Sequence, residues 1–292
     1  MSIVAWGMMG TGVAALVAGL ILVRKRFLAA TGAGKAVVLG PVFEAVALAI
    51  FSAEHFLAAR DLMRIVPRWL PDPLFWTYFV GVAWLAAAIS FIAWRHVRWS
   101  SALVALLMVI IVVTIDLPNV PKGMHERLFW TLFVRELAFA SGAMVLAGSE
   151  WQSSRNALGT ALMRTGRGFV AAVFLFYAIE HFLFPLFVPG VPLEKLTPPW
   201  MPGPVLISYV VGITLLLAAF GLLIPRTIRI AAAGSGVVLL LLTAFFYVPI
   251  LITEINAPLA VEGINYVGDT LLFAATALLT GFGADRPAVP GP

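Results

Sequence analysis

Residues 36–58 read AVVLGPVFEAVALAIFSAEHFLA. One carboxylate, Glu44, interrupts an otherwise apolar run whose only other ionisable residues, Glu54 and His55, stand at its far end. About 20 such residues cross a hydrocarbon core as a helix, and an unpaired backbone cannot sit in lipid. The rest of the chain repeats this pattern. Of 292 residues 62% are apolar and 11% charged, against roughly 25% charged in a soluble domain. Runs at 3–23, 36–58, 74–94, 99–116, 128–148, 167–188, 204–224, 230–252 and 264–283 predict about nine transmembrane helices, with eight as the fallback. The expected class is an all-α, polytopic integral membrane protein.

Several chemistries are excluded at once. The chain has no cysteine, so iron–sulfur clusters, thiolate metal sites, dithiol chemistry and covalent haem attachment fall away. No phosphate-binding glycine loop, nucleophile elbow or basic–aromatic stripe is present, so no nucleic-acid partner is expected. The formal charge of +5 is instead a topology signal. No positive charge precedes the first apolar run, and Arg24, Lys25 and Arg26 follow it; a signal peptide has the reverse order. With the N-terminus outside, inner segments hold twelve Lys/Arg, Arg155 and Arg286 among them, and outer segments six. The positive-inside rule favours N-out, C-in.

The sequence also contains a duplication. Glu54-His55-Phe56-Leu57 recurs as Glu180-His181-Phe182-Leu183, an offset of 126. PRWLPDP at 67–73 recurs as PPWMPGP at 198–204, an offset of 131. At that offset Tyr78, Gly81, Arg95, Arg98 and Pro118 meet Tyr209, Gly212, Arg226, Arg229 and Pro249, and Glu136 meets Asp269 at 133. Each unit holds four spans, so both enter the membrane from one side, and parallel repeats about the membrane normal are expected. The division reads as an N-terminal helix and basic inner loop at 1–35, repeats at 36–148 and 167–283, an inner linker at 149–166 and a tail at 284–292.

A helix ending in His-Phe, a Pro–Trp–Pro outer loop, a helix ending in Pro225-Arg226-x-x-Arg229 and a last helix with an acid before Leu-Phe-Ala resemble the DoxX family. Ala53 stands where members often place glycine, as does Ile179 or Ala178 in the second half, and Glu54 and Glu180 are additions to the pattern. The resemblance implies a bacterial inner-membrane protein of the type that includes small subunits of thiosulfate:quinone oxidoreductases, with a quinone as the ligand and a redox subunit as the partner.

Ionisable residues inside spans point to function, and here they gather in the outer half. Glu54, His55, Glu180, His181 and Asp116 lie at outer helix ends, and Glu136 and Asp269 about a third of the way inward. Tyr177 shares a helix face with His181, as Phe51 does with His55. The acids of the last helices are placed to orient the imidazoles by accepting a ring proton. Trp69 and Trp200, between prolines, anchor rigid interfacial loops that roof the cluster. Arg60, Arg64 and Arg68 suggest a surface helix on lipid phosphates, and Arg135 beside Glu136 a buried ion pair.

Three readings follow. One is a quinone-linked or otherwise redox-associated subunit with a polar site in the outer half. The second is a transporter of small molecules or ions. The third is a structural partner in which Glu and His only cap helices or bond across the bundle. Haem b requires His55 and His181 to approach each other across the pseudo-two-fold axis and is disfavoured. The topology is directly testable: a reporter fused after Pro292 is expected to be active only on the cytoplasmic side, and periplasmic activity would change the span count by one and reverse the sides.

Overall fold

A computed structural model describes residues 2–151, 157–191, 195–254 and 260–284. Arg155, Arg286, Pro292, the middle of the 149–166 linker and all of the 284–292 tail except Ala284 lie outside the described residues. Among the described residues, nine long helices run in chain order: α1 (Ile3–Ala29), α2 (Gly40–Leu57), α3 (Pro73–Ala93), α4 (Val97–Ile111), α5 (Arg127–Trp151), α6 (Ala157–Leu183), α7 (Pro204–Leu223), α8 (Ile228–Leu242) and α9 (Ala260–Leu279). The described residues contain no strand beyond one isolated bridge between Phe187 and Leu196. The protein is all-α and polytopic: eight helical segments are long and apolar enough to cross a membrane. The ninth, α9, carries Glu262, Asn265 and Asp269 in its first half, and every residue from Thr270 to Leu279 is buried. Asn265 and Asp269 bond to other helices, which is how such groups are tolerated in a bilayer, whereas Glu262 is exposed.

Helices adjacent in sequence pack side by side from α2 through to α9, and α9 returns to α2, closing a ring. α5 and α9 also pack on each other across the ring and divide it in two. On one side stand α2, α3 and α4; on the other, α6, α7 and α8. α1 lies against α2 at the periphery. Small residues set the close approaches, as they must where no hydrophobic force separates helix from lipid. A Cβ on Gly142 would meet Thr276 at 3.0 Å across the α5–α9 crossing, and one on Gly166 would lie 2.6 Å from the Ser141 carbonyl between α6 and α5.

Local structures recur at the sequence offsets. Asp72 and Gly203 both take left-handed backbone just before the prolines that start α3 and α7. Gly203 does so without strain, and Asp72 offsets its cost by capping the Phe75 N–H. α4 and α8 each widen into one π turn, Val112–Asp116 and Thr243–Tyr247, where the N–H of Leu117 bonds the Val112 carbonyl and that of Val248 the Thr243 carbonyl. Pro118 and Pro249 follow directly, and proline disrupts the normal helix ladder from that side. Gly81 admits the His55 side chain and Gly212 that of His181, each ideal Cβ position lying 2.9 Å from the histidine Cβ.

The packing at Gly166 generates a matched test. Gly166→Leu is expected to force α5 and α6 apart at a cost of about 1–3 kcal/mol, read as a lower thermal midpoint in detergent. Gly168→Leu on the same helix, where a Cβ meets nothing within 4 Å, should leave the midpoint nearly unchanged.

Candidate functional site

The first half of the ring encloses a cavity of about 570 Å³ near the ends of α2 and α4. Its walls are apolar and aromatic, including Phe51, Trp76, Trp84 and Phe139, and Val66, Pro67 and Trp69 of the proline loop border it. Few polar groups reach it: His55, Thr77, Thr114, Arg135, Glu136 and Asp269. This composition, an apolar pocket with a handful of convergent polar groups, is that of a site for a small hydrophobic ligand. Thr77 already donates to the Pro73 carbonyl at 2.9 Å, so its oxygen remains an acceptor.

Arg135 is held between two carboxylates. Its Nη1 bonds Asp269 Oδ2 at 2.6 Å, and its Nη2 bonds Glu136 Oε1 at 2.8 Å. The three side chains are mostly buried and join α5 to α9 at the border of the cavity. Adjacency predicts the pair with Glu136; the bond to Asp269 joins residues 134 positions apart and has no local signal. The acids therefore do not orient the histidines. Each imidazole instead turns Nδ1 to the carbonyl four residues earlier, Phe51 for His55 at 2.8 Å and Tyr177 for His181 at 2.6 Å. A carbonyl within its own helix is a nearer acceptor than a carboxylate already committed to a guanidinium.

The corresponding space of the second half is filled. Between α6 and α7 the chain folds back as a small hairpin, with Val188 N–H on the Lys195 carbonyl and Thr197 N–H on the Leu186 carbonyl. Its Pro189–Val191 stretch enters the bundle. Gly190 donates its N–H to His181 Nε2 at 2.9 Å, and Tyr247 donates its hydroxyl to the Pro189 carbonyl at 2.6 Å. Val188 and Val191 are buried there, and His181 is 0% exposed. Gly190 has φ 102° and packs against Leu242 and Leu239, which match the cavity residues Ile111 and Met108 at offset 131. Only glycine fits this backbone.

His181, Tyr177 and Glu180 therefore have partners inside the protein instead of a common open pocket. Tyr177 donates to the Thr131 carbonyl at 2.7 Å, and Glu180 is bonded by Thr131 Oγ1 at 2.9 Å and Arg127 Nη1 at 3.1 Å. Trp200 is half-exposed, and Trp69 at the cavity rim is 68% exposed. Glu54 takes a hydrogen bond from Asn265 Nδ2 at 2.9 Å, tying α2 to α9 as Glu180 ties α6 to α5. With His181 Nε2 occupied by Gly190, the paired-histidine ligation that haem b requires has no second free nitrogen.

Two carboxyl oxygens, Asp116 Oδ2 and Glu44 Oε2, are buried without a hydrogen-bond partner among the described residues. Asp116 lies within electrostatic reach of Arg135 and Glu136 and directly follows the cavity residues Thr114 and Ile115. Glu44 is 2% exposed and lies deeper in α2. The arginine row does not form a surface helix: the helix there is one turn, Ala59–Leu62, and only Arg64 pairs, with Asp61 at 3.6 Å. The segment turns so soon because it leads into the prolines at 67, 71 and 73.

Residues 44–125 match a domain of unknown function (DUF8561). Comparisons with curated proteins and with solved structures give no match. The matched segment runs from Glu44 through α4 and contains His55, the proline loop and the α3 and α4 walls of the cavity; Arg135, Glu136 and Asp269 lie beyond it.

The unequal roles of the two histidines give a stability test. His181→Ala removes one fully buried acceptor and strands the Gly190 N–H, which costs about 1–3 kcal/mol beyond the lost bond. His55→Ala opens a cavity that is already open to ligand. Thermal unfolding in detergent is expected to show a clearly larger drop for His181→Ala, and equal drops would contradict the assignment.

Proposed function

We propose that this chain is a DoxX-like subunit of a bacterial inner membrane that binds a lipid-soluble ring compound of the quinone class in its first-half cavity, in association with a redox partner. The observation that carries the reading is the single half-ring left open, apolar throughout and bordered by His55 and the Arg135–Glu136–Asp269 cluster. An isoprenoid-tailed ring needs an apolar enclosure for its body and a few polar groups at its head, and a protein supplies orientation to such a cofactor, not the redox chemistry itself. The exposed apolar faces of α3 and α4, with Phe79 and Ile110 close to half-exposed, suit a ligand that arrives from the bilayer.

In this reading residues 36–148 and 167–283 are parallel repeats related by a two-fold axis along the membrane normal. The recurring proline caps, π turns and histidine–glycine contacts support it. Twelve Lys/Arg against six support an outer location for the cavity. The second repeat then serves as scaffold, its own site filled by the 186–197 hairpin.

Protein purified from its native membrane is expected to carry a prenylated ring compound detectable by mass spectrometry. Val80→Trp, which places an indole where Val80 lines the cavity, should deplete that compound several-fold while the protein stays folded. Equal content in wild type and variant, or none in either, would overturn the proposal.

A further inference from the structure

We infer that the cavity selects the hydroxyl-bearing form of its ligand, a hydroquinone or phenol that donates a proton to Nε2 of His55, and that the Pro189–Val191 stretch of the second half occupies the same contact with a peptide. This inference rests on the quinone-class reading above and specifies which form of the ligand the site prefers.

The argument begins with the ring nitrogens. A carbonyl oxygen only accepts, so the nitrogen facing it must carry the proton. Nδ1 of His181 faces the Tyr177 carbonyl, and Nε2 then accepts the Gly190 N–H. Nδ1 of His55 faces the Phe51 carbonyl in the same i−4 relation. The neutral ring therefore presents a lone pair at Nε2 in both halves. Gly81 and Gly212 seat the two histidines alike, with the same 2.9 Å approach to Cβ. Among the described residues nothing donates to His55 Nε2, while His55 borders an open cavity. The first half thus has an acceptor without a donor at the point where the second half has both.

The second contact differs between the halves, and the difference is chemical. The Pro189–Val191 stretch offers one donor, the Gly190 N–H, and one acceptor, the Pro189 carbonyl. The second half answers with an acceptor, His181, and a donor, the Tyr247 hydroxyl. At offset 131 Tyr247 corresponds to Asp116, whose Oδ2 is buried and without a hydrogen bond. The first half therefore has a carboxyl group in place of the hydroxyl donor that the second half turns to Pro189. A peptide carbonyl would find no such donor there, whereas a ligand hydroxyl supplies the donor that His55 Nε2 lacks. A quinone carbonyl would set lone pair against lone pair at His55 and leave the acceptor unmet, and an acceptor left unpaired discriminates strongly in a dry site.

The test uses the full chain in detergent or nanodiscs and three probes of equal tail length: 2-decyl-1,4-hydroquinone, kept reduced under anaerobic conditions, its quinone, and its dimethyl ether. Binding is read by quenching of the tryptophans that line the cavity. The hydroquinone is expected to bind at least tenfold more tightly than either of the others, and His55→Phe, which keeps a flat ring and removes the lone pair, should reduce that preference to about threefold or less. Equal affinities of the wild type for all three probes would overturn this inference and leave the cavity assignment standing. Retention of the full preference by His55→Phe would overturn it as well. Saturable binding of none of the three would overturn the cavity assignment itself, and with it this inference.

Discussion

The bond from Arg135 to Asp269 fixes the relation between the two halves. α5 and α9 are the helices that belong to both sides of the ring, and this bond, with Glu136 as the second acceptor, joins them inside an apolar layer. A guanidinium in hydrocarbon costs several kcal/mol even after relaxation. Two carboxylates at 2.6 and 2.8 Å offset that cost through directed, charge-assisted bonds. Breaking the cluster by removing one partner would leave an uncompensated buried charge, which is far more damaging than never having buried it. The crossing also sets the cavity: its polar border is this cluster, and the small residues Gly142 and Thr276 bring the two backbones together beside it.

The two halves put nearly the same side chains to different ends. Each has a histidine seated on a glycine, a π turn before a proline, and a glutamate that reaches the last helix of the opposite half. The difference is made by five residues. The offset between matching positions rises from 126 at Glu-His-Phe-Leu to 131 at the proline loop, so the second connection is five residues longer. That length accompanies the inward placement of Pro189 to Val191, with Gly190 on His181. The shorter first connection, a single helical turn followed by the proline loop, spans the rim and leaves the space below it empty.

Much of this was written in the sequence. The apolar runs identify the helices because a bilayer admits few alternatives to them, and the recurring motifs mark stretches whose local structures recur. The extra length of the second connection was also legible, as the change of offset, but a length difference alone does not say whether a loop lies over a bundle or enters it. Tyr177 and His181 therefore read as candidate ligand contacts, though both are consumed by internal bonds. The Arg135–Asp269 bond lay beyond sequence reasoning for another reason. Two charges far apart in the chain carry no periodic or spacing signal, and Arg135 already has a sufficient partner in its neighbour Glu136. The placement of Glu54 on Asn265 is hidden in the same way, since it depends on α9 returning to α2.

The buried polar groups can be sorted by whether their bonding is complete. Glu180 has three bonds from Thr131 and Arg127, and His181 uses both ring nitrogens. Arg167 spends its guanidinium on the carbonyls of Thr280 and Phe282 at the end of α9. These are the groups of a folded scaffold, and each has the partners that a buried polar atom requires. His55 and Asp116 are incomplete, one at Nε2 and the other at Oδ2, and they stand in the half-ring that is open. An incomplete buried acceptor is costly in a bilayer protein, so its persistence beside an apolar cavity is best explained by a partner that comes and goes. Glu44 and Asn265 are incomplete as well, at Oε2 and Oδ1, and neither is in the cavity lining, so incompleteness alone does not mark a site. The unmet acceptor that borders the cavity, His55 Nε2, is what sets the open half apart from the half whose histidine is fully bonded.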